Sequence, residues 1–153
     1  MFVRDPALGF DGTVAEAVDM LGIDSTTHYQ FCGAVDVKTD YLHALEDMKN
    51  VWEYSRKSYH AAYFPHVSLG WDPNPRYENF RGDILTDCTV ENIRKAFLAA
   101  RDYLDAHPEL PVPLVTVNSW NEWTECSYLE PDDLNGYGYL EALRDVFAPE
   151  LKK

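Results

Sequence analysis

No uninterrupted apolar run in the sequence approaches the roughly 20 residues that a membrane-spanning helix needs, so no membrane partner is expected. The start at Met1 lacks the basic region and apolar stretch of a secretory signal, and with the free cysteines this leans towards the cytoplasm. Basic residues are few: 13 Lys and Arg stand against 26 Asp and Glu, a net charge of −13. Such a surface repels phosphate backbones and anionic lipids, which excludes nucleic acid as a partner. Cysteine is scarce too. Cys32, Cys88 and Cys126 are odd in number, widely spaced and form no CxxC pair, which argues against a disulfide framework or a zinc site. There is no cluster with metal-ligand spacing, no P-loop and no GxGxxG, so neither a metal nor a nucleotide cofactor is expected.

The 153 residues suffice for one domain, taken as 1–153, with a sizeable core. Aromatics make up 14%, with ten Tyr and four Trp. Most serve a core; those near a cleft suit sugar rings, whose C–H faces stack on them. Thr13 and Glu16 form a capping-box pattern before Val14, Ala17, Val18 and Leu21, and Gly22 stops that helix. Ser25 to Phe31 reads as a strand. A second helix runs from about Asp40 to Lys57, with Tyr41, Leu45, Met48, Trp52 and Ser55 on one face. Ala61 to Leu69 reads as a strand and Gly70 to Arg76, with two prolines, as a loop. Thr89 caps a third helix whose stripe is Val90, Ile93, Ala96, Phe97, Ala100, Tyr103 and Leu104, ended by His107-Pro108. Pro113 to Trp120 is a further short strand. A last helix covers about Tyr137 to Phe147, with Leu140, Leu143 and Phe147 inward, before a short basic tail, Lys152-Lys153.

This alternation predicts an α/β fold with parallel strands and right-handed crossovers. Three parallel strands do not close a (β/α)₈ barrel, which needs about 250 residues. The chain is therefore either a small open α/β domain or the C-terminal three or so β/α units of a TIM-type barrel. Met1 to Phe10 has no strand pattern for the first helix to pack on, which favours the partial barrel. An incomplete barrel would expose strand edges, through which copies could self-associate.

The strand Leu114-Val115-Thr116-Val117 runs into Asn118-Ser119-Trp120-Asn121-Glu122-Trp123-Thr124-Glu125. Working residues of parallel α/β folds sit at the C-terminal ends of strands. Two carboxylates three residues apart, between tryptophans, suit acid/base work: one protonates a leaving oxygen and the other serves as base, nucleophile or charge support. On spacing alone, a solvated acidic turn with two structural tryptophans is an equal alternative.

The run from Val117 to Asp132, and Gly136-Tyr137-Gly138-Tyr139-Leu140-Glu141-Ala142 after it, resembles the C-terminal signature of glycoside hydrolase family 99-like (WbsX-like) proteins, W-N-E-W-x-E-G-x-x-L-E-P-D followed by a Y-G-x-x-Y-L-E-A-like helix. Gly70-Trp71-Asp72-Pro73-Asn74-Pro75-Arg76 resembles the family's G-W-D-x-x-P-R loop; Leu8-Gly9-Phe10-Asp11 and Thr26-Thr27-His28-Tyr29 fit more weakly. The resemblance covers most of the chain. It implies a TIM barrel acting on α-mannoside-type or related linkages of a carbohydrate substrate. It implies that Glu122 is the base, deprotonating the sugar 2-hydroxyl, and Glu125 the general acid/base. Cys126 departs from the family's usual Gly, a residue chosen where φ is positive or the backbone must approach closely.

Around this pair, Trp120, Asn121, Trp123, Trp71, Asp72, Tyr29 and Glu130 are the candidate substrate-binding residues. Arg76 reads first as a structural partner of Asp72, Glu130 as a helix cap or structural pair, and His28 and His66 as satisfied core histidines. The leading expectation is a glycoside hydrolase without cofactor. The alternatives are a non-catalytic carbohydrate-binding or polysaccharide-biosynthesis accessory domain, or a truncated inactive fragment.

Overall fold

A computed structural model describes residues 13–151. Expectations for Met1–Phe10, Leu8–Asp11 and the Lys152-Lys153 tail lie outside the described residues. Helices alternate with short parallel strands. Helix α1 spans Val14–Met20, β1 Ser25–Thr26, α2 Tyr41–Ser58, β2 Ala62–Tyr63, β3 His66–Ser68, α3 Val90–Ala106 and β4 Thr116–Asn118. The short strands β5, Asn121–Glu122, and β6, Ser127–Tyr128, follow, then α4, Gly138–Phe147.

Local chemistry sets the helix starts. The Glu16 N–H bonds back to Thr13 Oγ1, and the Thr13 N–H donates to the Glu16 carboxylate over 2.7 Å, completing the capping box. Asp40 and Thr89 cap α2 and α3 through the backbone N–H of His43 and Asn92. Gly22 ends α1 at φ +62°.

β1 pairs with β2 and β3 with β4, both in parallel. The expected strand over 61–69 is thus split at Phe64-Pro65, because Pro65 has no N–H to donate. The backbone still bonds both neighbours across the break, through Phe64 N to Thr26 O at 2.9 Å and Thr116 N to Pro65 O at 3.1 Å. The expected strand over 25–31 pairs only at Ser25–Thr26. Its far end turns away because side chains take over the Phe31 N–H: Gln30 Oε1 accepts it at 2.7 Å and Ser68 Oγ at 2.9 Å.

The two faces of β3 differ. Val67 joins the apolar core with Leu69, against Tyr41, Met48 and Trp52 of α2 and Ile93, Phe97 and Ala100 of α3. His66 and Ser68 alternate to the other face, where His66 bonds both the Thr116 and the Ser68 hydroxyls. All five residues expected on the inner face of α2 are buried. In α4 the expectation needs correction: Tyr139, Ala142 and Val146 are buried, whereas Leu140 and Leu143 are half-buried and Phe147 is 39% exposed. The helix is turned because it lies close against α3, where small residues must face the contact. A β-carbon on Gly138 would come within 2.7 Å of Val90 Cγ2. Tyr139 Oη reaches the Cys88 carbonyl at 2.7 Å, and Arg94 pairs with Asp145 at 3.0 Å.

On the polar face, His66 is 1% exposed and bonds Thr116 Oγ1 at 2.9 Å and Ser68 Oγ at 3.1 Å. Burial pushes its pKa down to about 3, and burial likewise pushes half-buried His28 down to about 4. Both lie below the roughly 6.5 of an unfolded histidine, so the unfolded chain binds these protons first. The stability contributed is therefore complete above about pH 6.5 and drains as pH falls towards 4 and then 3. Chemical denaturation at a series of pH values should show this loss, and His66→Gln should flatten the slope.

Candidate active site

The acidic motif folds as a tight hairpin. β5 pairs antiparallel with β6, Asn121 opposite Tyr128 and Glu122 opposite Ser127. A 3₁₀ turn over Trp123–Glu125 joins them, and Cys126 closes it in the left-handed region at φ +51°. Glu122 ends β5 just before this turn and Glu125 ends the turn itself, and the two carboxylates face the same guanidinium, that of Arg76.

Arg76 meets them there. Its Nη2 donates to Glu122 Oε1 at 2.6 Å, its Nη1 to Glu125 Oε1 at 2.7 Å and its Nε to Thr124 Oγ1 at 2.7 Å. The expected partner Asp72 is engaged elsewhere: its Oδ1 accepts from the Asn74 backbone N–H at 2.9 Å and the Asn74 amide at 2.6 Å, in an Asx turn. That turn aims Arg76 away from Asp72 and across to the hairpin. Burial lowers the Arg76 pKa, and the charges of Glu125 and Glu122 more than reverse this, leaving it above its ordinary value.

The loop and the hairpin are fastened through the backbone as well. The Asp72 N–H donates to the Glu125 carbonyl at 2.9 Å. A β-carbon on Gly70 would fall 2.2 Å from the Cys126 carbonyl oxygen, so only glycine fits. The Asn118–Ser119 peptide is cis. Ser119 Oγ accepts from the Glu122 N–H at 3.0 Å, tying the hairpin to the end of β4.

The two carboxylates differ in surroundings. Glu125 is 6% exposed, whereas the Glu122 side chain keeps 35% of its surface. Trp120 and Trp123 remain 53% and 43% exposed. Trp123 stacks on Tyr128 at 3.9 Å between ring centroids and donates its indole N–H to Glu130 at 2.8 Å. Asn121 is exposed on β5. Trp71 is half-buried against the apolar core. Tyr29, 68% exposed, stands apart at a neighbouring cleft of about 630 Å³ lined also by Gln30, His66, Thr116, Asn118 and Ser119. The structure thus brings Glu122, Glu125, Asp72, Trp123 and Glu130 into one connected set and adds Arg76, which sequence reasoning had assigned a different partner. Among the described residues, no group of three or more His, Cys, Asp or Glu side chains is placed to hold a metal ion.

The family model of glycosyltransferase WbsX matches residues 9–143. The chain belongs to the WbsX family. The uncharacterized protein WxcX of two strains of Xanthomonas campestris pv. campestris is similar, at 29% and 28% identity over 146 residues, which is 94% of this chain. The chain spans only 21% of the length of those relatives. Among solved structures, a glycoside hydrolase-like protein superposes with a TM-score of 0.57 at 18% identity, covering 80% of this chain and 42% of its own. A GH99 endo-alpha-mannosidase from Bacteroides thetaiotaomicron superposes with a TM-score of 0.55 at 15% identity, covering 90% of this chain and 44% of its own. These neighbours show that the WbsX-family chain has a glycoside hydrolase-like fold.

Cys126 occupies the position where the family resemblance implies glycine, and its φ of +51° shows why glycine suits it. A side chain in the left-handed region costs about 1–2 kcal/mol, part of which glycine returns through its freer unfolded state. Cys126→Gly should therefore stabilise the chain by about 0.5–1 kcal/mol, read as a raised midpoint in urea. An unchanged or lowered midpoint would contradict the strain at this turn.

Proposed function

We propose that this chain carries the acidic catalytic face of a glycoside hydrolase, 1–153 being the C-terminal part of a (β/α) barrel, acting on α-mannoside-type linkages of a glycan. The observation that carries the reading is the pair Glu122 and Glu125, facing the same guanidinium at a strand end, one half-exposed and the other 6% exposed. Cleavage needs a proton donor for the leaving oxygen and a second carboxylate on the ring side. The enclosed Glu125 suits the acid/base, and the more open Glu122 suits the base acting on the 2-hydroxyl. An acid/base must carry a proton for part of each cycle, so Arg76 has to release Glu125 as the sugar enters. Trp120, Asn121 and Tyr29 offer surface to a sugar. Trp71 and Asp72 support the site from beneath, and Glu130 sets the indole of Trp123.

A second reading, carbohydrate binding without turnover, is favoured by one observation: Arg76 already holds both carboxylates at hydrogen-bond distance. The name of the matched family adds a variant of the first, transfer of the glycosyl group to a sugar hydroxyl instead of water by the same two carboxylates.

Incubation with α-mannan oligosaccharides, followed by reducing-end assay and mass spectrometry, separates these readings. New reducing ends mark hydrolysis, and lengthened products mark transfer. Glu125→Gln should slow either by roughly 10²-fold or more without lowering the melting temperature. Full activity in that variant would sink the catalytic assignment. Retention of the oligosaccharide with no new product would favour binding alone.

A further inference from the structure

Asn118 ends β4 and is 2% exposed. The Gln30 side chain, itself fixed by backbone atoms, orients the Asn118 amide. The Phe31 N–H donates to Gln30 Oε1 at 2.7 Å, which identifies the oxygen end of the Gln30 amide. Gln30 Nε2 therefore donates, to the Gly70 carbonyl at 3.2 Å and to the Asn118 side chain at 3.0 Å. The atom of Asn118 that receives this bond must be its oxygen, so the other end is the NH₂ group. That Nδ2 is buried and has no hydrogen-bond partner among the described residues.

Glu125 shows the complementary feature. Arg76 holds Oε1, while Oε2 is buried with no hydrogen-bond partner among the described residues. Open buried donors and acceptors are costly to keep, and each calls for a cause. The two lie in one neighbourhood: Gln30 ties Asn118 to Gly70, and Gly70 abuts the carbonyl of Cys126, the residue after Glu125. A cleft of about 630 Å³ opens beside it on the Asn118 side, lined by Gln30, Asn118, Ser119 and Cys32. The Cys32 thiol in that lining is pushed up to about 11, first by its own burial and then by the charge of Glu125. Small-molecule sites occupy roughly 300–1,000 Å³, so the space is sufficient for a ring.

An open N–H donor and an open carboxylate oxygen together complement a hydroxyl, which accepts one hydrogen bond and donates another. We infer that Asn118 is a ligand-binding residue, aimed by Gln30, which with Glu125 receives a single hydroxyl of a sugar ring seated in this cleft. The inference rests on the glycan reading above, and the ring is an α-mannoside. Gln30 is a positioning residue, since it acts only through Asn118.

The test uses the 153-residue chain and methyl α-D-mannopyranoside with its monodeoxy analogues, titrated by ligand-observed NMR. One analogue of the set should bind about tenfold more weakly than the parent, because its missing hydroxyl leaves both groups open. Asn118→Ala should weaken the parent by a similar factor and erase the discrimination. Gln30→Glu keeps an acceptor for Phe31 but loses the donor on Asn118, so it should erase the discrimination as well, an effect that a merely structural role would not produce. Should Asn118→Ala fail to fold, the analogue series on the unaltered chain still decides. Equal binding of every analogue, or no binding of the parent, overturns the inference. Discrimination without hydrolysis of α-mannan oligosaccharides supports it while removing the hydrolase reading. Hydrolysis together with unimpaired binding by Asn118→Ala removes the inference alone.

Discussion

Gly70 lies against the carbonyl of Cys126 so closely that no β-carbon fits between them. This contact, with the Asp72 N–H on the Glu125 carbonyl, binds the loop after β3 to the hairpin after β4. The rest of the site depends on it. The Asx turn of Asp72 and Asn74 begins just beyond the contact and sets the direction of Arg76. Arg76 in turn spans Glu122 and Glu125 and balances two like charges that would otherwise repel across a short turn. Two motifs far apart in sequence thus form a single electrostatic unit.

The scaffold beneath has two sides with different work. Val67 and Leu69 bury themselves against α2 and α3, and this apolar side holds the strand ends in place. On the other side His66 bonds Thr116 and Ser68, and Gln30 bonds Asn118 and the Phe31 N–H. Polar groups can be enclosed there only because nearly all are paired. Asn118 Nδ2 and Glu125 Oε2 are left open beside the acidic hairpin, while Thr26 Oγ1, Trp52 Nε1, Arg56 Nε, Trp71 Nε1 and Tyr103 Oη are open elsewhere among the described residues.

Much of this was legible in residue order. The caps at Thr13, Asp40 and Thr89 and the buried stripe of α2 depend on near neighbours and are found, as is most of the stripe of α3, where Val90 and Leu104 are only half-buried. The strands were less legible. The expected lengths of the strands beginning at Ser25 and Ala61 assumed that each N–H would find a ladder partner, whereas Gln30 and Ser68 took that of Phe31 and Pro65 has none. The face of α4 misled for another reason: hydrophobicity favoured Leu140 and Leu143, but closeness to Val90 selected the small Gly138 and Ala142.

The sequence by itself determined the alternating elements and an acidic motif with two carboxylates three residues apart at a strand end. These follow from local backbone geometry, in which near neighbours decide. Only the tertiary structure decided that Arg76 serves the two glutamates in place of Asp72, that Glu125 is enclosed while Glu122 stays open, and that Gln30 orients Asn118. Each of these joins residues dozens of positions apart, and such contacts depend on which surfaces the packed strands and helices bring together.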